Sequence, residues 1–313
     1  MEYRKLGNTD LVVSAVGFGA SPLGDVFGTT DASQRNRAVA LAVDSGINFF
    51  DVSPYYGMTL AEERLGEALL GRRPQVILAT KCGRYGPNDF DFSAKRIRSS
   101  IDESLRRLRT DYVDLFQAHD VEFGKFNQIV GETIPAMREL QEEGKVRFVG
   151  ITGYPLKMLA KIARTVAIDT VLSYCRYNLL ATDMDAVITP LAQEQNIGLI
   201  NASPLCMGLF TRQGPPAWHP APSEVVSVGR AAAELCDRYG VDISEVALRF
   251  SFQHSYVAST LVGMSTTREV EASLVAYRSS TDPQLRQELQ QLVAPVLNTH
   301  WPSGLPENSD EAQ

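Results

Sequence analysis

The 313-residue chain is poor in several residue types and patterns. It carries four cysteines and four histidines. Cys82, Cys175, Cys206 and Cys236 stand far apart and form no C-x-x-C pair, which excludes a disulfide framework and reads as free thiols in a reducing cytoplasm. None of the histidines has a partner at metal-ligand spacing, so no metal site is expected. The formal charge is -7, so the chain lacks the positive surplus that nucleic acid or an anionic membrane would demand of a partner. No apolar run approaches the ~18–20 residues of a membrane span. Met1–Lys5 passes directly into Leu6-Gly7, without the apolar core of a signal peptide. A glycine-rich nucleotide loop is missing as well. Gly17-Phe18-Gly19 opens like a dinucleotide fingerprint, but the next glycine is Gly24. Gly19 to Gly24 has phosphate-loop spacing, but Asp25-Val26 stands where Lys and Ser/Thr are needed.

What is present is alternation, in a chain that is 44% hydrophobic and 21% charged, as ordinary globular proteins are. Short β-branched or aromatic runs are followed by amphipathic stretches with helical spacing. Strands are expected near Ala15–Phe18, Asn48–Val52, Gln75–Thr80, Tyr112–Ala118, Val146–Ile151, Thr170–Cys175, Gly198–Ala202 and Ser259–Val262. Two short segments, Tyr3–Leu6 and Leu11–Val13, precede them as a hairpin. Helical patterns fall near 33–45, 60–70, 94–108, 126–143, 155–165, 184–195, 223–239, 243–253, 267–278 and 283–297, with Ser93 and Ser223 as helix caps. Eight β/α repeats predict an α/β fold of one domain over 1–313. It is a closed (β/α)8 TIM barrel with an N-terminal β-hairpin across its bottom and additional helices. A doubly wound sheet is the alternative. The proline-rich stretch Thr211–Pro222 follows the seventh strand, where a barrel places an active-site loop. Residues 303–313 read as a polar, flexible tail.

In a barrel the loops after the strands converge on one face. Asp51, Lys81 and His119 each end a strand, and Tyr56 follows Asp51 in the loop Ser53-Pro54-Tyr55-Tyr56-Gly57. Singly, Asp51 reads as a helix cap and His119 as a structural histidine. Lys81 is harder to explain that way, because an unpaired buried ammonium is costly, and Asp51 would supply its counter-charge. Together the four suit proton transfer at an alcohol or carbonyl. A phenol with pKa about 10 is a poor base at neutral pH, and a neighbouring ammonium is expected to lower that value.

These residues resemble the aldo-keto reductase family. The resemblance is carried by Arg4-Lys5-Leu6-Gly7-Asn8-Thr9, Gly17-Phe18-Gly19, Ile47-Asn48-Phe49-Phe50-Asp51 with Tyr56-Gly57, and Ala79-Thr80-Lys81. It continues through Tyr112-Val113-Asp114-Leu115 leading to His119, Gly144-Lys145-Val146-Arg147, and Ser203-Pro204-Leu205 with Gly208, in family order. It implies a nicotinamide cofactor held by a barrel, with Asp51, Tyr56, Lys81 and His119 as the catalytic set. Cofactor contacts implied are Gly19, Thr152, Tyr174, Ser203, Leu205, Gly208, Gly263, Ser265, Arg268, Glu269 and Ser273. Thr152-Gly153 replaces a usual Ser-Asn pair, Tyr174 a usual Gln, and Ala202 a usual stacking aromatic residue. Glu269, beside the adenosine ribose, would repel a 2′-phosphate, which favours NAD over NADP.

Within the family the resemblance points to an aldose 1-dehydrogenase that oxidises the anomeric hydroxyl of an L-galactose-like sugar to its lactone. Tyr55, Tyr85, Trp218, His219 and Trp301 are the expected sugar contacts, with Arg84 and His300 on the same loops; aromatic faces with a few polar groups suit a sugar. An NADPH-dependent reductase of small aldehydes or ketones and a cofactor-binding regulatory subunit stay open as alternatives. A monomer is compatible with the sequence.

Overall fold

The strands are short continuous apolar runs because both of their faces are covered. In the computed structural model, which describes residues 1–311, β1 (Tyr3–Lys5) and β2 (Val12–Ser14) form an antiparallel hairpin. Eight parallel strands follow: β3 (Val16–Gly19), β4 (Phe49–Asp51), β5 (Ile77–Cys82), β6 (Val113–Ala118), β7 (Val146–Gly153), β8 (Thr170–Tyr174), β9 (Gly198–Ala202) and β10 (Ser259–Gly263). Each pairs with its neighbour in sequence, and β10 returns to pair with β3, Thr260 opposite Val16. The sheet is therefore a closed barrel and not a doubly wound sheet.

The helices are α1 (Ala32–Asp44), α2 (Leu60–Ala68), α3 (Ala94–Leu108), α4 (Phe126–Gln128), α5 (Ile134–Glu142), α6 (Leu156–Thr165), α7 (Met184–Gln195), α8 (Ser223–Arg238), α9 (Ile243–Phe252), α10 (Thr267–Arg278) and α11 (Pro283–Val293). The largest core lies between strands and helices, with Phe18, Phe50, Phe116, Ile151 and Leu199 facing outward into it. A smaller core fills the barrel: Phe49, Ala79, Leu115, Leu172, Ile200 and Leu261 pack inside, and Leu6, Leu11 and Val13 of the hairpin region close the bottom. A third gathers α8, α9, α11 and Trp301.

Three expectations need correction. The helical stretch 126–143 is interrupted by a π-helical turn at Ile129–Thr133. Pro135 lies just beyond it; lacking an N–H, it cannot sustain the regular i→i−4 ladder. Ser93 does cap α3, accepting from the Arg96 N–H at 3.3 Å, but Ser223 is the first residue inside α8 and caps nothing. The segment 303–313 is docked as far as it is described. The Asn308 side chain donates to the Glu122 and Gly124 carbonyls at 2.8 and 2.9 Å, and Asp310 pairs with Arg176 at 2.7 Å. Hydrogen bonds to buried backbone hold this polar segment where composition alone suggests fraying.

Candidate active site

Asp51 ends β4, Lys81 lies one residue from the end of β5, and His119 follows β6. Strand alternation turns their side chains to the inner, upper end of the barrel. The Lys81 ammonium donates to Asp51 Oδ1 and, at 2.9 Å, to the Val52 carbonyl. Gln117 Nε2 donates to Asp51 Oδ2 at 2.8 Å. Both carboxylate oxygens are thus engaged, as a buried charge requires. Burial pushes the Asp51 carboxyl up, while Lys81 and Gln117 pull it back. Burial would lower the Lys81 ammonium, but Asp51 and then Tyr56 outweigh it and hold it above its ordinary value.

Tyr56 reaches this pair from a tightly wound loop. Gly57, Met58 and Thr59 all take positive φ. A Cβ on Gly57 would lie 2.1 Å from the Gly24 carbonyl oxygen, so the Tyr56 loop sits backbone against backbone on the turn after β3. Lys81 Nζ is 4.9 Å from the centre of the Tyr56 ring. Even so, Tyr56 is pushed up to about 12: burial raises it more than Lys81 lowers it. The sequence expectation of a lowered tyrosine is reversed in sign, because loss of hydration at the inner end of the barrel outweighs the neighbouring ammonium.

His119 stands edge-on to Tyr56, ring centres 5.7 Å apart. Its Nδ1 is 3.0 Å from Ser53 Oγ. Burial drives it down to about 3, with Lys81 and Arg84 in the same direction, so the imidazole is neutral. Neutral, it can donate or accept a single hydrogen bond to a reacting oxygen without carrying charge into the site.

A cavity of about 750 Å³ opens from Asp51 and Tyr56 and runs between the loops after β3, β9 and β10 to Ser265 and Glu269. Of the expected cofactor contacts, Gly19, Ser203, Leu205, Gly208, Gly263, Ser265 and Glu269 line it, as does Ala202. Thr152 is buried with its hydroxyl oxygen accepting from the Asp120 N–H at 3.1 Å. The Tyr174 hydroxyl donates to Glu122 Oε1 at 3.4 Å. Arg268 is exposed and does not line the cavity, and the Ser273 hydroxyl donates to the Glu269 carbonyl within α10. At the far end, Glu269 Oε2 accepts from the Ser265 and Thr266 N–H groups at 2.7 and 2.8 Å, and Thr266 completes a capping box. The cavity therefore joins the Asp51–Lys81–Tyr56–His119 cluster to a helix N-terminus. Gly19 and Gly263 leave its walls open: a Cβ on either would stand 3.1 Å from Val262 or Pro22.

The expected sugar contacts separate. Tyr55 lies beside His119, ring centres 6.0 Å apart, beneath the Arg84 guanidinium. Tyr85 is buried away from the cluster, under Arg96 of α3. Trp218 is 54% exposed and leans on Phe27 across the cavity mouth, ring centres 6.0 Å apart. His219 Nε2 lies 2.9 Å from the Cys206 carbonyl oxygen, holding its own loop. Trp301 stacks on Tyr154 at 5.0 Å and anchors the C-terminal segment, with His300 2.9 Å from Asp183. Ser53, Gln117, Asp120 and Glu122 were not singled out by the sequence. Gln117 carried a signal: it stands two residues before His119 on a buried strand and opposite Lys81 in register, so it shares their inward face.

Comparison with known proteins agrees with this architecture. The sequence profile of the Aldo/keto reductase family matches residues 15–294. The chain is 48% identical over 319 aligned residues to L-galactose dehydrogenase of Arabidopsis thaliana, covering 98% of this chain and 99% of that protein. It is 31% identical to D-arabinose 1-dehydrogenase of Saccharomyces cerevisiae, covering 86% and 87%. The solved holo form of aldo-keto reductase AKR11C1 from Bacillus halodurans superposes with a TM-score of 0.78 at 29% identity, covering 97% and 98%. With this barrel, this profile match and this similarity along nearly its whole length, the chain belongs to the aldo-keto reductase family and is an oxidoreductase acting on CH–OH groups.

Proposed function

We propose that the protein is an NAD-dependent aldose 1-dehydrogenase that oxidises L-galactose or a close relative to its lactone. The observation that carries the reading is the meeting of Asp51, Lys81, Tyr56 and His119 at the inner end of the long cavity. The near-complete similarity to L-galactose dehydrogenase supports the choice of sugar. A nicotinamide cofactor, when bound, supplies the hydride acceptor, and Ser203, Leu205, Gly208, Gly263 and Ser265 would hold it. Tyr56 takes the anomeric hydroxyl proton while C1 gives up its hydrogen with the bonding pair, and the C1–O bond becomes the lactone carbonyl. Lys81, fixed by Asp51 and Gln117, stabilises the phenolate that accepts the proton. Neutral His119 orients the reacting oxygen.

Glu269 supports NAD. Its carboxylate occupies the N–H donors at the start of α10, the donors that a 2′-phosphate would seek, and adds a repelling charge. The test is absorbance at 340 nm with NAD or NADP and a panel of L-galactose, L-fucose, D-arabinose, L-glucose and D-galactose. NAD reduction fastest with L-galactose is expected. Preference for another aldose changes the sugar and keeps the mechanism. No reduction with any aldose, by folded protein that binds the cofactor, overturns the reading.

A further inference from the structure

Beside the proton-transfer cluster lies an ion pair that the steps above do not use. Arg84, just past β5, donates through Nη1 to Asp120 Oδ2. Asp120, just past His119, is 3% exposed, and its other oxygen lies 3.7 Å from His119 Nε2. Its left-handed backbone, φ 51°, and the N–H bond to Thr152 fix where that carboxylate points. The guanidinium lies over Tyr55 at 3.8 Å and against the stacked Phe90 and Phe123 rings at 5.2 and 5.3 Å. Three aromatic faces thereby hold the fork in one orientation.

The pairing is incomplete. An arginine that only neutralises a carboxylate commonly presents two parallel N–H groups to it. Here one N–H does so, and Nε is buried with no acceptor. A buried donor without a partner calls for an explanation; Arg35 Nε and Arg249 Nε share the condition elsewhere, and what sets Arg84 apart is its place over Tyr55 beside the Asp120–His119 contact. The second Asp120 oxygen and the Tyr55 ring under the guanidinium adjoin His119, which faces Tyr56. A sugar offers what this set lacks: adjacent hydroxyls, each able to accept and to donate, on a ring that can lie against an aromatic face.

We propose that Arg84 and Asp120 form a diol-reading pair, in which one sugar hydroxyl accepts from Arg84 while its neighbour donates to Asp120. The pair selects polyhydroxylated substrates over simple carbonyl compounds. The inference rests on the aldose reading above.

The experiment measures kcat and KM for L-galactose and each of its monodeoxy analogues. It uses the wild type, Arg84→Met, Arg84→Lys and Asp120→Asn, with NAD affinity followed by quenching of intrinsic fluorescence. The wild type is expected to lose about 10- to 100-fold in kcat/KM on one or two neighbouring monodeoxy analogues, carried mainly by KM. In Arg84→Met and Asp120→Asn the parent sugar falls toward that level and the analogue falls little further, so the discrimination ratio collapses. Arg84→Lys keeps the charge beside Asp120 without the planar fork, and recovers part of the ratio. It also serves if the other two variants fold poorly. A purely structural pair would lower parent and analogue together and leave the ratio intact. Undiminished discrimination in Arg84→Lys and Arg84→Met overturns the pair while the aldose reading stands. Absence of aldose oxidation by the wild type overturns that reading, and the pair with it.

Discussion

The height of the Tyr56 pKa sets a test of the proton-transfer step. An ordinary tyrosine ionises near 10, and Tyr56 is pushed up to about 12 by burial. At pH 8 its phenolate is then about one part in ten thousand, and this fraction grows about tenfold per pH unit. The two-unit rise corresponds to about 2.7 kcal/mol against the charged form. With Tyr56 as the proposed base, oxidation needs the phenolate, so its kcat/KM is expected to climb with a slope approaching one from pH 7 to pH 10 without a plateau. Reduction needs the protonated phenol, so its kcat/KM stays flat over the same range. Stability sets the upper limit. The folded state holds this proton more tightly than the unfolded chain, so the contribution is intact below pH 10. It is lost as pH rises from about 10 through 12. Rates are therefore taken between pH 7 and 10, with C1-deuterated sugar to confirm that hydride transfer limits them. A plateau in oxidation at or below pH 9 would show that Lys81 overcomes burial. A slope unchanged in Tyr56→Phe would remove Tyr56 from the step altogether.

Three other outcomes follow from the same geometry. Glu269→Gln, which removes the carboxylate charge at the start of α10, should raise kcat/KM with NADP relative to NAD by about fivefold, in line with the ~1 kcal/mol scale of charge at a helix terminus; an unmoved ratio refutes the specificity argument. Gly57→Ala must accommodate a Cβ against the Gly24 carbonyl. It should lower kcat at least tenfold by displacing Tyr56, with a drop of several degrees in Tm by calorimetry. Trp301→Ala removes a buried ring stacked on Tyr154 and should cost about 3–5 kcal/mol in denaturant unfolding. A cost under about 1 kcal/mol would show that the C-terminal segment is not anchored there.

The strands were legible because a closed barrel demands short buried runs, and each run ended on the same kind of boundary. Asp51, Lys81 and His119 stood out because an ionisable residue closing an apolar run has few uses except at the barrel mouth. Their partners were less visible. Gln117 and Ser53 act through contacts across strands and loops, 66 residues away in each case, and local spacing does not report them. The sign of the Tyr56 shift differs from the sequence expectation because a neighbouring charge is visible in sequence order, whereas the hydration lost by the ring depends on packing. The C-terminal segment was misread for a similar reason. Its polar residues look solvent-seeking until Glu122 and Gly124 offer buried carbonyls to Asn308.

The seam of the barrel has a consequence for how the chain is made. Thr260 lies opposite Val16, so the first barrel strand waits for the last before its outer edge is paired. At about 5–20 residues per second, the ribosome needs roughly 10–50 s to add the intervening chain. During that interval β3 has Phe18 and Val16 to bury and an open row of backbone donors on one side. The hairpin β1–β2 can form at once from local contacts, but the barrel floor it completes does not yet exist. The nascent chain is therefore most exposed to mispairing at its beginning, and emergence of β10, rather than of the first repeats, is the event that closes the ring.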